Sequence, residues 1–273
     1  MPEGPEIRRI ADKLEKTVCK KPVRGIWFAR PDLKKYQKDL AASAVESVKT
    51  KGKALLTEFD CGLTVYSHNQ LYGRWFFKPK GERPNTSRSL RWKIDTDKHS
   101  ALLYSASDIA VLPSDELDAH PFLAKAGIDI LSDKPDIKTL SEYLAQPRFA
   151  RRALGGLLLD QHFVAGIGNY LRSEILYTAG FHPTQKIGDL DGHGRRRLAR
   201  QIILITERAY QTGGITNDAA LVKRLKKSGW TRGRFRHWVF SREDEPCHRC
   251  ADSIIKTVIA SRRLYYCPGC QGK

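Results

Sequence analysis

The residues best equipped for chemistry stand at the start of the chain, in MPEGPE, where Pro2, Glu3 and Glu6 fall within six positions. Once Met1 is removed, as is usual before a small residue such as proline, Pro2 offers a terminal secondary amine with a pKa of roughly 8. That amine is a nucleophile. Its attack on a sugar aldehyde carbon gives an iminium that has no N–H to lose, and the fixed positive charge makes the neighbouring C–H acidic. Glu3 is close enough in sequence to move that proton. The same residues also read as a plain helix start, with Pro5 in the first turn and two acids at the positive end of the helix dipole. On these residues alone both readings stand.

A second group is Cys247, Cys250, Cys267 and Cys270, two C-x2-C pairs with sixteen residues between them. Pairs at this spacing close a tetrahedral zinc site, and the intervening SIIKTVIASRRLYY forms a strand, a turn and a strand. One structural Zn2+ is expected. An iron–sulfur or rubredoxin-type centre is the alternative for the same ligands, and disulfides are disfavoured without a secretory signal. Four thiolates leave no open coordination position, so the metal shapes the fold and activates no water. No redox or organic cofactor is expected. Cys19 and Cys61 read as small buried hydrophobes.

Three further stretches carry candidate contacts. In DQHFVAGIGNYLRSEIL a Gly-rich turn through Gly166 and Gly168 leads into a helix near Asn169. Free backbone N–H groups there suit a phosphate, although many such turns use glycine only for packing. In SHNQLYG (67–73), Gln70, Leu71 and Tyr72 offer an amide, an aliphatic wedge and a ring at a hairpin tip, a set able to fill a gap in a base stack. An ordinary hairpin turn is the plainer reading. Lys53 in KTKGKALL reads as one of several lysines on a solvated strand face. Arg262 and Arg263, at the tip between the cysteine pairs, have little structural use there and point to a phosphate or groove contact.

These groups need a scaffold. Ile7, Ile10, Ala11, Leu14 and Val18 recur at helical spacing with polar residues between them, which predicts an amphipathic helix over 4–18. From Val23 to Leu112 the texture is strand-like, broken by Gly, Pro, Asn and Asp, which predicts a β-sandwich. A short helix near 114–124 and the stretch GIDILSDKPD follow. Beyond Asp136 the pattern is helical through TLSEYLAQ, ARRALGGLLLDQHF, GNYLRSEILYTAG and about 195–211, and the chain ends in a Cys-rich hairpin from about Trp238. The expected division is a helix-plus-sandwich domain over 1–125, a linker over 126–135, a helical domain over 136–228 and a cysteine hairpin over 229–273.

The bulk composition, 41% hydrophobic and 29% charged, is that of a globular chain, and no apolar run approaches the ~20 residues of a membrane span. The acidic start lacks an apolar leader core, so a cytoplasmic protein with no membrane partner is expected. The formal net charge is +18, and residues 223–273 hold 13 Lys/Arg against 4 Asp/Glu. Cations concentrated in this way, among Trp230, Phe235, Trp238 and Phe240, favour nucleic acid over a charge that serves solubility alone.

Taken in order, MPEGPEI, KGKALL, SHNQLYG, LLLDQHFVAGIGNYLRSEIL and CHRC…SRRLYYCPGC span nearly the whole chain. They resemble the bacterial DNA glycosylase/AP lyases comprising formamidopyrimidine-DNA glycosylase and endonuclease VIII. The MPEGPE start and the SHNQLYG loop resemble the endonuclease VIII branch. The resemblance implies an α+β multidomain fold with an N-terminal helix plus β-sandwich, a helix–two-turn–helix domain and a C-terminal β-hairpin zinc finger. It implies Pro2 as nucleophile at C1′, Glu3 as general acid/base and Glu6 as a supporting carboxylate. Lys53 would engage the lesion and its phosphate, and Asn169 and Arg262 would grip a kinked backbone. Gln70, Leu71 and Tyr72 would fill the void left by the flipped nucleotide. The implied partner is damaged double-stranded DNA, and the implied reaction is release of oxidised pyrimidines followed by β- and δ-elimination. The implied setting is the bacterial cytoplasm, the enzyme being a monomer that joins the nucleoid when on DNA. Arg263 departs from the family pattern without touching Arg262. The alternatives are a non-catalytic zinc-ribbon nucleic-acid-binding protein, or the same enzyme class acting on oxidised purines.

Overall fold

The apolar stripe of the opening segment forms helix α1, Gly4–Val18, with Ile7, Ala11, Leu14 and Val18 turned into the interior. The computed structural model describes residues 2–272 and falls into two units, the first ending at Ala126 and the second beginning at Gly127. The expected removal of Met1 concerns a residue outside those described.

In the first unit, α1 is followed by β1 (Gly25–Phe28), α2 (Gln37–Ala41), β2 (Val45–Lys51), β3 (Ala54–Phe59), β4 (Leu63–His68), β5 (Arg74–Pro79), β6 (Leu90–Asp95), β7 (His99–Tyr104) and β8 (Asp108–Pro113). They make two four-stranded sheets, ordered β1-β6-β7-β5 and β2-β3-β4-β8. All the pairings are antiparallel. The α1 stripe joins Phe28, Val65, Trp92, Ile94 and Leu103 in one buried core. Full burial of a side chain of this size contributes ~1.5–3 kcal/mol, so α1 is held by packing more than by its own propensity. Phe28 stacks on Trp92 at 5.9 Å between ring centroids, and Trp75 meets Trp92 edge-on at 5.2 Å.

Three expectations change here. β4 and β5 lie in different sheets, so residues 69–73 cross between sheets and are no hairpin tip. The helix expected near 114–124 is two short 3-10 turns, Ser114–Ala119 and Leu123–Lys125. Cys61 is exposed, because it lies in the turn that joins β3 to β4.

The second unit contains β9 (Ile128–Asp129), α3 (Ile130–Asp133), α4 (Ile137–Leu144), α5 (Leu154–Leu157), β10 (Val164–Ala165), α6 (Asn169–Ala179), α7 (Gly192–Thr212), α8 (Ala219–Lys227), α9 (Arg232–Phe235), β11 (Ile255–Ile259) and β12 (Arg262–Tyr266). Asp136, Asp191 and Asp218 cap the N-termini of α4, α7 and α8, each accepting a backbone N–H three residues on. Gly180 and Gly213 close α6 and α7 in the left-handed region. Leu140, Leu171, Ile175, Leu198, Ile202 and Ile205 form the core between α4, α6 and α7. The helix expected across 150–163 shrinks to the single turn α5, because the backbone N–H groups of Leu154 and Gly155 donate to the Gln185 and Pro183 carbonyls at 2.9 and 2.8 Å instead of to a preceding helical turn. Conversely, α8 and α9 occupy a stretch that the periodicity left unassigned.

Candidate active site and nucleic-acid interface

The opening residues are fixed in place. Glu3 is the N-cap of α1 and only 4% exposed, and its backbone N–H donates to Glu6 Oε2 at 3.0 Å. The Glu3 carboxylate accepts the reciprocal N–H of Glu6, which completes a capping box. Pro2 is half-buried immediately before it. The two glutamates thus lie where the helix dipole favours negative charge, and Glu3 is tied to the first turn of α1.

Lys53 departs from its bland reading. It sits in the two-residue turn between β2 and β3, where Lys51 pairs with Ala54 and Gly52 takes the first central position at φ +60°. At 6% exposure Lys53 is buried, not on a solvated face. An ammonium taken out of water is expensive unless it meets a partner. Its charge is felt by His68, whose pKa is pushed down mainly by burial and also by Lys53, against the pull of Asp108.

His68 in turn opens the crossing segment. Its Nδ1 accepts the backbone N–H of Gln70 at 3.0 Å, and the Gln70 Oε1 accepts from the Ser107 hydroxyl at 2.7 Å. Gln70 is held at φ +50°. Gly73 N–H closes the loop on the Asn69 carbonyl at 2.7 Å, and Arg88 donates to the Tyr72 carbonyl at 2.5 Å. So braced, the loop leaves Leu71 56% and Tyr72 68% exposed. An adjacent aliphatic and aromatic pair held out in water by a rigid loop has nothing to gain from the folded chain alone.

In the second unit, α6 organises the remaining candidates. Asn169 is its first residue, behind the Gly166–Gly168 turn, and Gly166 takes φ +94°. Gln161 fixes that turn, accepting from Gly166 N–H at 3.0 Å and donating to the Leu159 and Ile167 carbonyls at 2.9 Å each. One helical turn on, the fully buried Arg172 donates to the carbonyls of Gly155 at 2.7 Å, Ile259 at 3.2 Å, Arg262 at 2.9 Å and Arg263 at 3.2 Å. The last three of these carbonyls flank the turn between β11 and β12, where Ala260 and Ser261 are both in the left-handed region at φ +53° and +58°. Such conformations cost ~1–3 kcal/mol each for residues with a side chain, and the guanidinium clamp is what holds them. Arg262 and Arg263 are exposed beside that turn. Asn169 and Arg262 are thereby linked through one buried side chain.

The next two residues of α6 complete the anchoring. Ser173 accepts from Tyr265 N–H at 3.2 Å. Glu174, fully buried, accepts backbone N–H groups from Trp238 at 2.7 Å and from Val239 and Phe240 at 2.9 Å, and also the Thr216 hydroxyl. Burial pushes its pKa up, and those four donors work against the shift. Sequence reading missed Arg172, Ser173 and Glu174. The available signal was that NYLRSEIL has apolar residues on every face, so its polar side chains have no route to water.

The four cysteines converge, with all four sulfurs within 4.8 Å of one another. Individual separations are 3.3 Å for Cys250–Cys267, 3.6 Å for Cys250–Cys270 and 3.8 Å for Cys247–Cys270. Metal–sulfur bonds of ~2.3 Å in a tetrahedron put the sulfurs ~3.8 Å apart, so the group could hold a metal ion. Burial opposes ionisation of Cys247, yet hydrogen bonds from Tyr177 and from the backbone N–H groups of Arg249 and Cys250 bring its thiol down to about 6.

Family models match this chain in two places, the formamidopyrimidine-DNA glycosylase N-terminal domain over residues 1–107 and the formamidopyrimidine-DNA glycosylase H2TH domain over 126–220. The chain belongs to the formamidopyrimidine-DNA glycosylase/endonuclease VIII family, the DNA glycosylase/AP lyases of base excision repair. Within that family it is 47% identical to endonuclease 8 of Escherichia coli O17:K52:H18 and 48% identical to endonuclease 8 of Shigella sonnei. Each match covers 99% of this chain and 100% of the relative. Among solved structures, a complex between Lactococcus lactis Fpg and abasic-site-containing DNA matches with a TM-score of 0.80 at 22% identity. That match covers 99% of this chain and 100% of the other, a likeness of fold. No helix among the described residues is long and apolar enough to cross a membrane.

Proposed function

We propose that the chain excises oxidised pyrimidines from duplex DNA through a Schiff base on Pro2 and then cleaves the strand by β,δ-elimination. The observation that carries this reading is the start of α1, where Pro2 precedes a buried, capped Glu3 in a chain aligned end to end with endonuclease 8. With Met1 removed, the Pro2 amine attacks C1′ of the flipped nucleotide and the base departs. The sugar ring opens to an iminium, and Glu3 moves the protons that these steps need. Loss of the C2′ proton expels the 3′ phosphate, a second elimination expels the 5′ phosphate, and hydrolysis frees the amine. Glu6 holds Glu3 in place, and Lys53 supplies positive charge to the lesion phosphate from its turn. Gln70, Leu71 and Tyr72 occupy the vacated stack, and Asn169 and Arg262 hold the bent backbone.

Cys247, Cys250, Cys267 and Cys270 would hold zinc, on the strength of their all-sulfur donor set and tetrahedral spacing. Such an ion stabilises the hairpin that carries Arg262. We also keep the division into a catalytic domain over 1–125, a linker over 126–135, a helical DNA-binding domain over 136–228 and a finger over 229–273.

The test is borohydride trapping on duplexes containing dihydrouracil, 8-oxoguanine or an abasic site, with the intact mass of the protein measured first. Processed wild-type protein should trap covalently, Pro2→Gly should trap far less while still binding duplex, and dihydrouracil should be released faster than 8-oxoguanine. Absence of any trapped complex with processed protein would refute the mechanism, and faster 8-oxoguanine release would refute the pyrimidine assignment.

A further inference from the structure

The segment between α7 and the cysteine hairpin has no part in the reaction described above. Residues 219–236 contain seven Lys/Arg and no Asp or Glu. The segment is a closed excursion: Thr216 N–H donates to the Arg236 carbonyl at 2.8 Å, and Asn217 Nδ2 donates to the Phe235 carbonyl at 2.8 Å. Leu221, Leu225 and Phe235 anchor it in the same apolar cluster as Trp238, Cys247 and Cys267. Every long side chain left exposed is cationic, the other exposed residues being Ala, Ser, Gly and Thr. Lys223, Arg224, Lys226, Lys227, Arg232 and Arg234 are all exposed.

This arrangement is poor for stability by itself. Lys223 and Lys227 are four apart on α8, Lys223 and Lys226 three apart, and Arg224 and Lys227 three apart, all like-charge neighbours that weaken a helix by ~0.2–0.5 kcal/mol per pair. Among the described residues none of these four pairs with a carboxylate. The helix dipole accommodates the cations of the last turn, but not Lys223 at mid-helix and not the arginines beyond. Those arginines are pre-positioned: Arg234 stacks over the Trp230 ring at 4.4 Å, and Arg232 donates to the Gly213 carbonyl at 2.6 Å. A rigid, uncompensated row of cations at helical spacing suits a row of phosphates, which relieves the repulsion and releases counterions on binding.

We propose that the exposed face of α8 and α9 is an auxiliary contact for the backbone of duplex DNA, separate from Asn169 and Arg262 and independent of the lesion. It rests on the reading of the chain as a DNA-repair enzyme. Through it, undamaged duplex is held electrostatically, which raises affinity for any sequence and does nothing for base release.

The test is the triple variant Lys223→Gln, Arg224→Gln, Lys227→Gln, which keeps good helix formers and removes three positive charges, with Lys223→Arg, Arg224→Lys, Lys227→Arg as the charge-keeping control. Affinity for an undamaged duplex of three helical turns is measured against salt, and single-turnover cleavage of a dihydrouracil duplex is followed at saturating enzyme. Three lost phosphate contacts should shallow the log–log salt slope by about 2.7, so that from about 50 to 200 mM salt the wild type loses roughly 40-fold more affinity than the variant. The control should keep the wild-type slope, and both variants should cleave at the wild-type rate. An unchanged slope with normal cleavage would overturn the contact while leaving the enzyme reading intact. A wild-type protein that neither cleaves nor traps would overturn the enzyme reading instead.

Discussion

Replacing Glu174 by Gln tests whether one buried carboxylate holds the cysteine hairpin to the helical core. One of its oxygens accepts from Val239 and Phe240 N–H, and the other from Trp238 N–H and the Thr216 hydroxyl. A glutamine keeps one acceptor oxygen and turns an NH2 group on the other pair. The Thr216 hydroxyl can rotate and accept that donor, whereas Trp238 N–H, in a buried site, loses its partner outright. An orphaned buried donor costs about 1–3 kcal/mol, and loss of charge assistance at the remaining bonds adds to it, while removing a buried charge gives part back. A net loss of about 2–3 kcal/mol follows, which for a unit of this size lowers the melting temperature by roughly 5–10 °C. Glu174→Ala strands three N–H groups and should cost about twice as much. Calorimetry of the metal-loaded protein measures both, and limited proteolysis reports whether residues 236–240 open first. A Gln variant that melts within a degree of wild type would refute the clamp.

Further consequences follow from other sites. His237 is buried with its pKa brought down to about 3, first by burial and then by Arg236, so the unfolded chain binds one more proton than the folded one between pH 6.5 and that value. Its contribution is therefore complete above pH ~6.5 and is lost as pH falls, at up to ~1.4 kcal/mol per pH unit. Urea unfolding of wild type and His237→Asn at pH 7.5 and 5.5 should show the steeper loss in wild type, and parallel losses would contradict it. A β-carbon on Gly73 would lie 2.5 Å from the Asn69 carbonyl oxygen and 2.6 Å from Asn69 Cα, both backbone atoms that cannot swing aside. Gly73→Ala should thus displace the Gln70–Tyr72 loop, slow base excision at least tenfold and lower stability by about 1–3 kcal/mol; an unaltered excision rate would show that loop geometry is unimportant. Cys267→Ser, or chelation, should loosen the terminal hairpin and weaken duplex binding before the first unit melts, and unchanged affinity after metal loss would separate the hairpin from DNA binding.

Much of this protein is legible without coordinates. The stripe of α1, the Asn169 helix start and the paired cysteines are local signals, fixed by spacings of three, four or a few residues that a helix turn or a chelate ring requires. The run of cations over 219–236 is equally plain in the sequence, although its mounting on α8 and α9 is not. Tertiary structure alone decided which turn lysine is buried, that β4 and β5 part into different sheets, and that Arg172 and Glu174 tie the cysteine hairpin to α6. Arg172 and Arg262 are ninety residues apart, and Glu174 and Phe240 sixty-six. No local period encodes such a pairing. It arises because a buried charge must find donors or acceptors somewhere, and only the completed packing of helices and hairpin determines where they are.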